Sequence, residues 1–157
     1  MDSGGGAEYL RNILGGNEMI AKDFLRQVEM LDVKISNKLI ECEQWRDKAF
    51  NITASVGGEK VQSSGNQQKM AGAIEKCIDM EQEINDLIDA LVDTKRKVIA
   101  TIEKLDSPTE YDILHKRYIQ GLTLQEIADD KGRDYGWATT THGRALKNVQ
   151  VLLDKGA

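Results

Sequence analysis

Gly121-Leu122-Thr123-Leu124-Gln125-Glu126-Ile127-Ala128 is the most informative stretch of this chain. Gly121 reads as a left-handed helix stop, since glycine enters that backbone region without a steric penalty. Thr123 is placed to cap the next helix, and Glu126 follows at the spacing of a capping box. Leu124, Ile127 and Ala128 share one helical face, and Lys131-Gly132 supplies a second turn. Upstream, Ser107 suits an N-cap and Pro108 the first helical position, with Glu110 repeating the capping-box spacing. The helix they open is predicted from about Pro108 to Gln120, with Tyr111, Leu114 and Tyr118 facing inward. Downstream, a third helix opens at Asp134 or Tyr135. Its inner face is Ala138, Thr141, Ala145 and Val149, with Leu146 and Leu152 as further apolar cover. Helix, glycine turn, short helix, turn and longer helix make the pattern of a trihelical helix-turn-helix unit.

Near the start of that third helix, the positions left outward are Tyr135, Gly136, Thr139, Thr140 and Gly143, followed by Arg144 and Lys147. Threonine hydroxyls and methyls suit base edges, and glycine lets backbone approach closely. Arg133, Arg144 and Lys147 suit phosphates, and Lys131 adds to the same local positive charge. The plainer alternative is that the threonines form a solvated helix surface. Trp137 is either groove-facing or, the preferred reading, a lid on the core of the unit. His142 reads as a local hydrogen-bonding residue.

Charge tempers this expectation. The 157-residue chain carries 21 Lys and Arg against 26 Asp and Glu, a formal net charge of −5. Residues 1–105 hold 14 basic and 18 acidic side chains, and residues 106–157 hold 7 and 8. Between 131 and 147, however, Lys131, Arg133, Arg144 and Lys147 face a single acid, Asp134. Phosphate binding on so few cations is expected to be weak per protomer and sensitive to salt.

The rest of the chain is patterned for long helices. Stepping four and three from Phe24 reaches Val28, Leu31, Ile35, Lys38, Cys42, Trp45, Ala49, Ile52 and Val56, with Lys38 the exception among apolar residues. Gly57-Gly58 stops this run, and the polar residues 57–69 read as a loop. A second stripe runs Met70, Ile74, Cys77, Glu81, Ile84, Ile88, Leu91, Lys95, Val98, Ile102 and Leu105, interrupted by Glu81 and Lys95. Such repeats predict two helices of roughly 35–40 residues, about 55 Å each at ~1.5 Å per residue, folded back on each other. Leu25, Leu39, Ile40, Ile78, Leu87 and Ile99 flank the stripes, more apolar surface than one partner helix covers. A homodimer built around a four-helix bundle is therefore expected, with a monomeric hairpin as the alternative. Phe24, Val28, Leu31, Ile35, Trp45, Ile74, Ile84, Ile88, Leu91 and Ile102 are its candidate dimerisation residues.

The expected organisation is thus all-α. Residues 1–16 form a flexible leader in which 7–14 have the spacing of a short helix. Residues 17–105 form the dimerising hairpin, and residues 106–157 the DNA-binding unit. Cys42 and Cys77 lie on apolar stripes and read as reduced, buried thiols. Neither lies near His115 or His142 at metal-binding spacing, so no metal and no cofactor are expected. No apolar run reaches membrane-spanning length and no signal peptide is recognisable, which leads to the expectation of a cytoplasmic protein. Catalysis is not expected: Gly57-Gly58 lacks the Gly-Lys-Ser/Thr ending of a phosphate loop, and no Ser or Cys has an orienting His.

Residues 105–149 resemble sigma-factor region four, the module that reads the −35 promoter element. The resemblance rests on Leu114–Tyr118, Gly121–Ala128, Gly132 and Arg144-Ala145-Leu146. The whole chain resembles phage-encoded regulators of the ArpU and RinA type, through Val61-Gln62-Ser63-Ser64, the acidic helix after it, and His142-Gly143-Arg144-Ala145-Leu146. The resemblance implies a phage or prophage activator of late or morphogenetic genes in a bacterial host. Double-stranded promoter DNA, a second copy of the chain and RNA polymerase are the expected partners. The competing reading is an interaction module that binds polymerase or a repressor without reading DNA itself.

Overall fold

The computed structural model describes residues 17–56 and 64–156, and among them it is all-helical. The expected leader, the Gly57-Gly58 stop and Val61–Ser63 lie outside the described residues. α1 spans Asn17–Val56 and α2 spans Ser64–Ile102. Three shorter helices follow: α3 (Pro108–Leu114), α4 (Leu124–Asp130) and α5 (Tyr135–Asp154). No helix among the described residues is long and apolar enough to cross a membrane.

Two boundaries differ from expectation. Residues 64–69 belong to α2, not to the loop predicted over 57–69. Gln67, Gln68 and Lys69 are good helix formers, and small polar residues are tolerated in a first turn. The helix predicted from Pro108 to Gln120 is α-helical only to Leu114; a π turn follows over His115–Ile119, closed by Gln120 N–H donating to the His115 carbonyl at 3.1 Å. The wider turn inserts one residue per cycle and leaves Tyr118 buried, while Tyr111 is only half-buried. Ile113, which periodicity did not single out, is the fully buried neighbour of Leu114.

Packing does not divide the chain at the expected boundary near residue 106. The described residues between Leu31 and Val92 form one compact unit; those up to Met30 form another together with those from Asp93 onward.

In the first, α1 and α2 run antiparallel around Cys42, Met80 and Ile84, with Trp45 against them. Lys38, the polar interruption of the first stripe, is half-buried and reaches Glu83 Oε2 at 2.9 Å, its stem covering apolar surface while its head stays wet. Arg46 donates to Glu81. The phase of the second stripe differs from expectation at every other step. Ile74 and Ile88 are 45% and 41% exposed and Glu81 is exposed. Ala73 and Met80 are buried and Leu87 half-buried instead. A three-then-four step from Met70 gives this line, which meets no charge between Met70 and Leu91. Both thiols are buried and free, and burial pushes the Cys77 thiol up.

In the second unit, the fully buried side chains include Leu25, Val28, Val98 and Ile102 from the long helices, and Ile113, Leu114, Ile127 and Val149 from the short ones. Each such side chain contributes roughly 1.5–3 kcal/mol of burial. Across the two units, each taken by itself, eight of the ten candidate dimerisation residues are at least half-covered by this chain: Phe24, Val28, Leu31, Ile35, Trp45, Ile84, Leu91 and Ile102.

Candidate nucleic-acid interface

Local chemistry holds the three short helices as the residues require. Ser107 Oγ accepts from Glu110 N–H at 3.3 Å and caps α3, behind Pro108 at its first position. Glu110 does not complete a box there. Its carboxylate is buried and accepts from Asn148 Nδ2 at 2.7 Å, tying α3 to α5. The second box does close: Thr123 Oγ1 accepts from Glu126 N–H at 3.2 Å, and Glu126 Oε2 accepts from Thr123 N–H at 2.7 Å. Those bonds hold the Glu126 carboxyl below its usual value. Gly121 and Gly132 take φ of 77° and 62°, the left-handed conformation that both turns require. Asp134 Oδ1 accepts from Trp137 N–H at 2.7 Å and starts α5.

These caps set the faces of α5. Ala138, Thr141, Ala145 and Val149 are buried, as their spacing predicts. Tyr135, Gly136, Thr140, Arg144 and Lys147 are exposed, and Gly143 is half-buried. Thr139 is half-buried and its hydroxyl donates to the Gly136 carbonyl at 3.0 Å, so part of its polarity is already used within the helix. His142 is a hydrogen-bonding residue: its Nε2 lies 2.8 Å from the Tyr118 hydroxyl, with the rings stacked. Burial pushes the Tyr118 phenol up to about 12.

The cationic residues fall into two groups. Lys131, Arg133 and Trp137 line one cleft of about 530 Å³ with Pro108, Thr109 and Asp112. Trp137 is half-buried there, and the Arg133 guanidinium lies 5.8 Å from its ring centroid. Lys131 Nζ sits 2.6 Å from Asp112 Oδ2, and Lys116 sits 3.8 Å from that same oxygen and 2.5 Å from Asp130. The hydrogen bond to Asp130 raises Lys116 above its ordinary value and in return lowers Asp130. This chain of alternating charges clamps α3 and its π turn to α4. It also offsets the charge of Lys131, a residue expected from the sequence to add to phosphate binding. Arg144 and Lys147 form the other group, on the exposed face of α5.

Reasoning from the sequence missed Asp112 and Glu110 as partners. Their spacing from Lys131 and Asn148, of 19 and 38 residues, carries no periodic signal. The chain matches no protein-family model, no curated protein and no solved structure.

Proposed function

We propose that this chain is a dimeric, sequence-reading DNA-binding regulator in which α5 enters the major groove. The carrying observation is the division of α5. A buried line of Ala138, Thr141, Ala145 and Val149 stands opposite an exposed line of Gly136, Thr140, Arg144 and Lys147. The Gly132 turn and the Asp134 cap set the start of that exposed line just after α4, the order that helix-turn-helix readers use. Thr140 and the glycine backbone supply base-edge contacts, while Arg133, Arg144 and Lys147 hold phosphates. The resemblance to phage regulators with a sigma-like C-terminal unit makes promoter DNA the substrate of this reading, and activation of late genes its outcome.

The test is a footprint across the neighbouring genomic DNA at two salt concentrations. A protected site of two symmetric half-sites, fading at high salt, is the expected result. Arg144→Ala with Lys147→Ala should weaken binding to all sequences alike and reduce the salt slope by about 2, one per phosphate contact removed. Thr140→Ala should instead change which sequence is preferred. Unaltered binding by all three substitutions rules out this orientation of α5.

A second reading is favoured by the engagement of Lys131 with Asp112 and by the net charge of −5. In it, the chain binds polymerase or a repressor through its helices and does not read DNA. Absence of protection even at low salt supports it, and retention of RNA polymerase on the immobilised chain is its own positive test.

A further inference from the structure

We propose that a second copy of this chain docks on one defined face of the 31–92 unit, the face centred on the Arg46–Glu81 ion pair. This deepens the dimeric part of the proposed function and is independent of whether α5 reads DNA.

The face is assembled from three observations within that unit. First, Arg46, Phe50, Ile74, Ile78 and Glu81 line a single open groove of about 410 Å³. Second, the antiparallel register extends this face. Seven residues back along α1 from Arg46 is Leu39, and seven forward along α2 from Glu81 is Ile88. One heptad from the ion pair, the same side therefore presents Leu39 opposite Ile88, with Val92 one turn further on. Third, these apolar side chains are bare. Phe50 is 74% exposed, Ile78 59%, Leu39 52% and Ile74 45%, with Ile88 and Val92 just above 40%. Six large apolar residues on one side of the described part of the Leu31–Val92 unit exceed the scatter of single exposed residues normal on a monomer.

The pattern along the face is apolar, ionic, apolar, and it is self-complementary. A two-fold axis running along the hairpin between two copies lays α1 of one on α2 of the other at the same level. Arg46 then meets Glu81 of the partner subunit, Phe50 meets Ile78 of the partner subunit, and Leu39 meets Ile88 of the partner subunit. Each contact occurs twice, as an isologous interface requires. The apolar ends supply the burial, and the central charges set the level at which the copies dock. Met30, Val33 and Ile40, also exposed, lie on other sides of α1 and take no part.

The experiment is sedimentation equilibrium on the full chain, with far-ultraviolet circular dichroism to check helicity. The wild type is expected at twice the chain mass. Ile78→Glu with Ile88→Glu should raise the dimer dissociation constant roughly 30-fold or more, with helicity kept because both positions are solvent-facing. Val33→Glu with Ile40→Glu should leave the dimer intact. Arg46→Glu should weaken the dimer, and adding Glu81→Arg should restore it. A monomeric wild type overturns the proposal. So does a dimer indifferent to Ile78→Glu with Ile88→Glu, or one lost on Val33→Glu with Ile40→Glu. Loss of the DNA footprint in Arg144→Ala with Lys147→Ala leaves the measured mass unchanged, so failure of the dimer face and failure of DNA reading are separately visible.

Discussion

Tyr118 joins the π turn to α5. Tyr118 is only 4% exposed, and its hydroxyl meets His142 Nε2 at 2.8 Å. Its phenol is raised to about 12 from 10.0, chiefly by burial, with Arg117 and Arg26 pulling the other way. The folded form therefore keeps its proton where the unfolded chain has lost it. This contribution to stability is fully present below pH 10.0 and is lost as pH rises through about 12. Alkaline unfolding followed by circular dichroism should show that fall in stability between these values. Tyr118→Phe should flatten it, at the cost of leaving His142 without that partner. An equal alkaline slope in both proteins would assign the loss to other groups.

At the level of elements, α4 shows how much of a seven-residue helix is its caps. So short a segment is marginal by propensity alone, and the reciprocal Thr123–Glu126 box satisfies the donors that its first turn leaves open. Thr123→Ala should destabilise the protein by about 1 kcal/mol in thermal or urea unfolding. The Glu126 carboxyl is held below 4.5 by the Thr123 bonds. Its contribution is present above the unfolded value and disappears as pH falls through the lowered one. Glu126→Gln should accordingly narrow the gap in melting temperature between neutral and acidic buffer, and an undiminished gap would show that the box does not govern acid sensitivity.

For the whole molecule, the consequential fact is that the start of α1 and the end of α2 pack with the three short helices as one unit. Leu25, 94 residues before Ile119 in the chain, is fully buried in it. Leu25→Ala should cost about 2–5 kcal/mol by lost burial and a residual cavity. The loss should register in the C-terminal helices and not in α1 alone. Trp45 and Trp137 lie in different units, so a Trp45→Phe background isolates the fluorescence of Trp137. In that background Leu25→Ala should lower the unfolding midpoint seen by Trp137. An unchanged midpoint would mean that the C-terminal helices are held without α1.

Helical repeats, turn glycines and N-caps act over three to seven residues, and residue order alone revealed them. The two long helices, the Thr123–Glu126 box and the inner face of α5 were legible in this way, whereas residue order left the start of α5 open between Asp134 and Tyr135. Contacts between distant residues were not. Ile74 looked a better core residue than Ala73, yet the alanine is the buried one and the isoleucine faces outward. Glu110 looked like a box partner for Ser107, and Asn148 draws its carboxylate elsewhere. Lys131 looked like a phosphate ligand, and Asp112 engages it. In each case the residue type permitted several partners, and only the approach of a second element selected among them. Spacing names the side chains that share a face, whereas packing and charge pairing between faces settle what each of them touches.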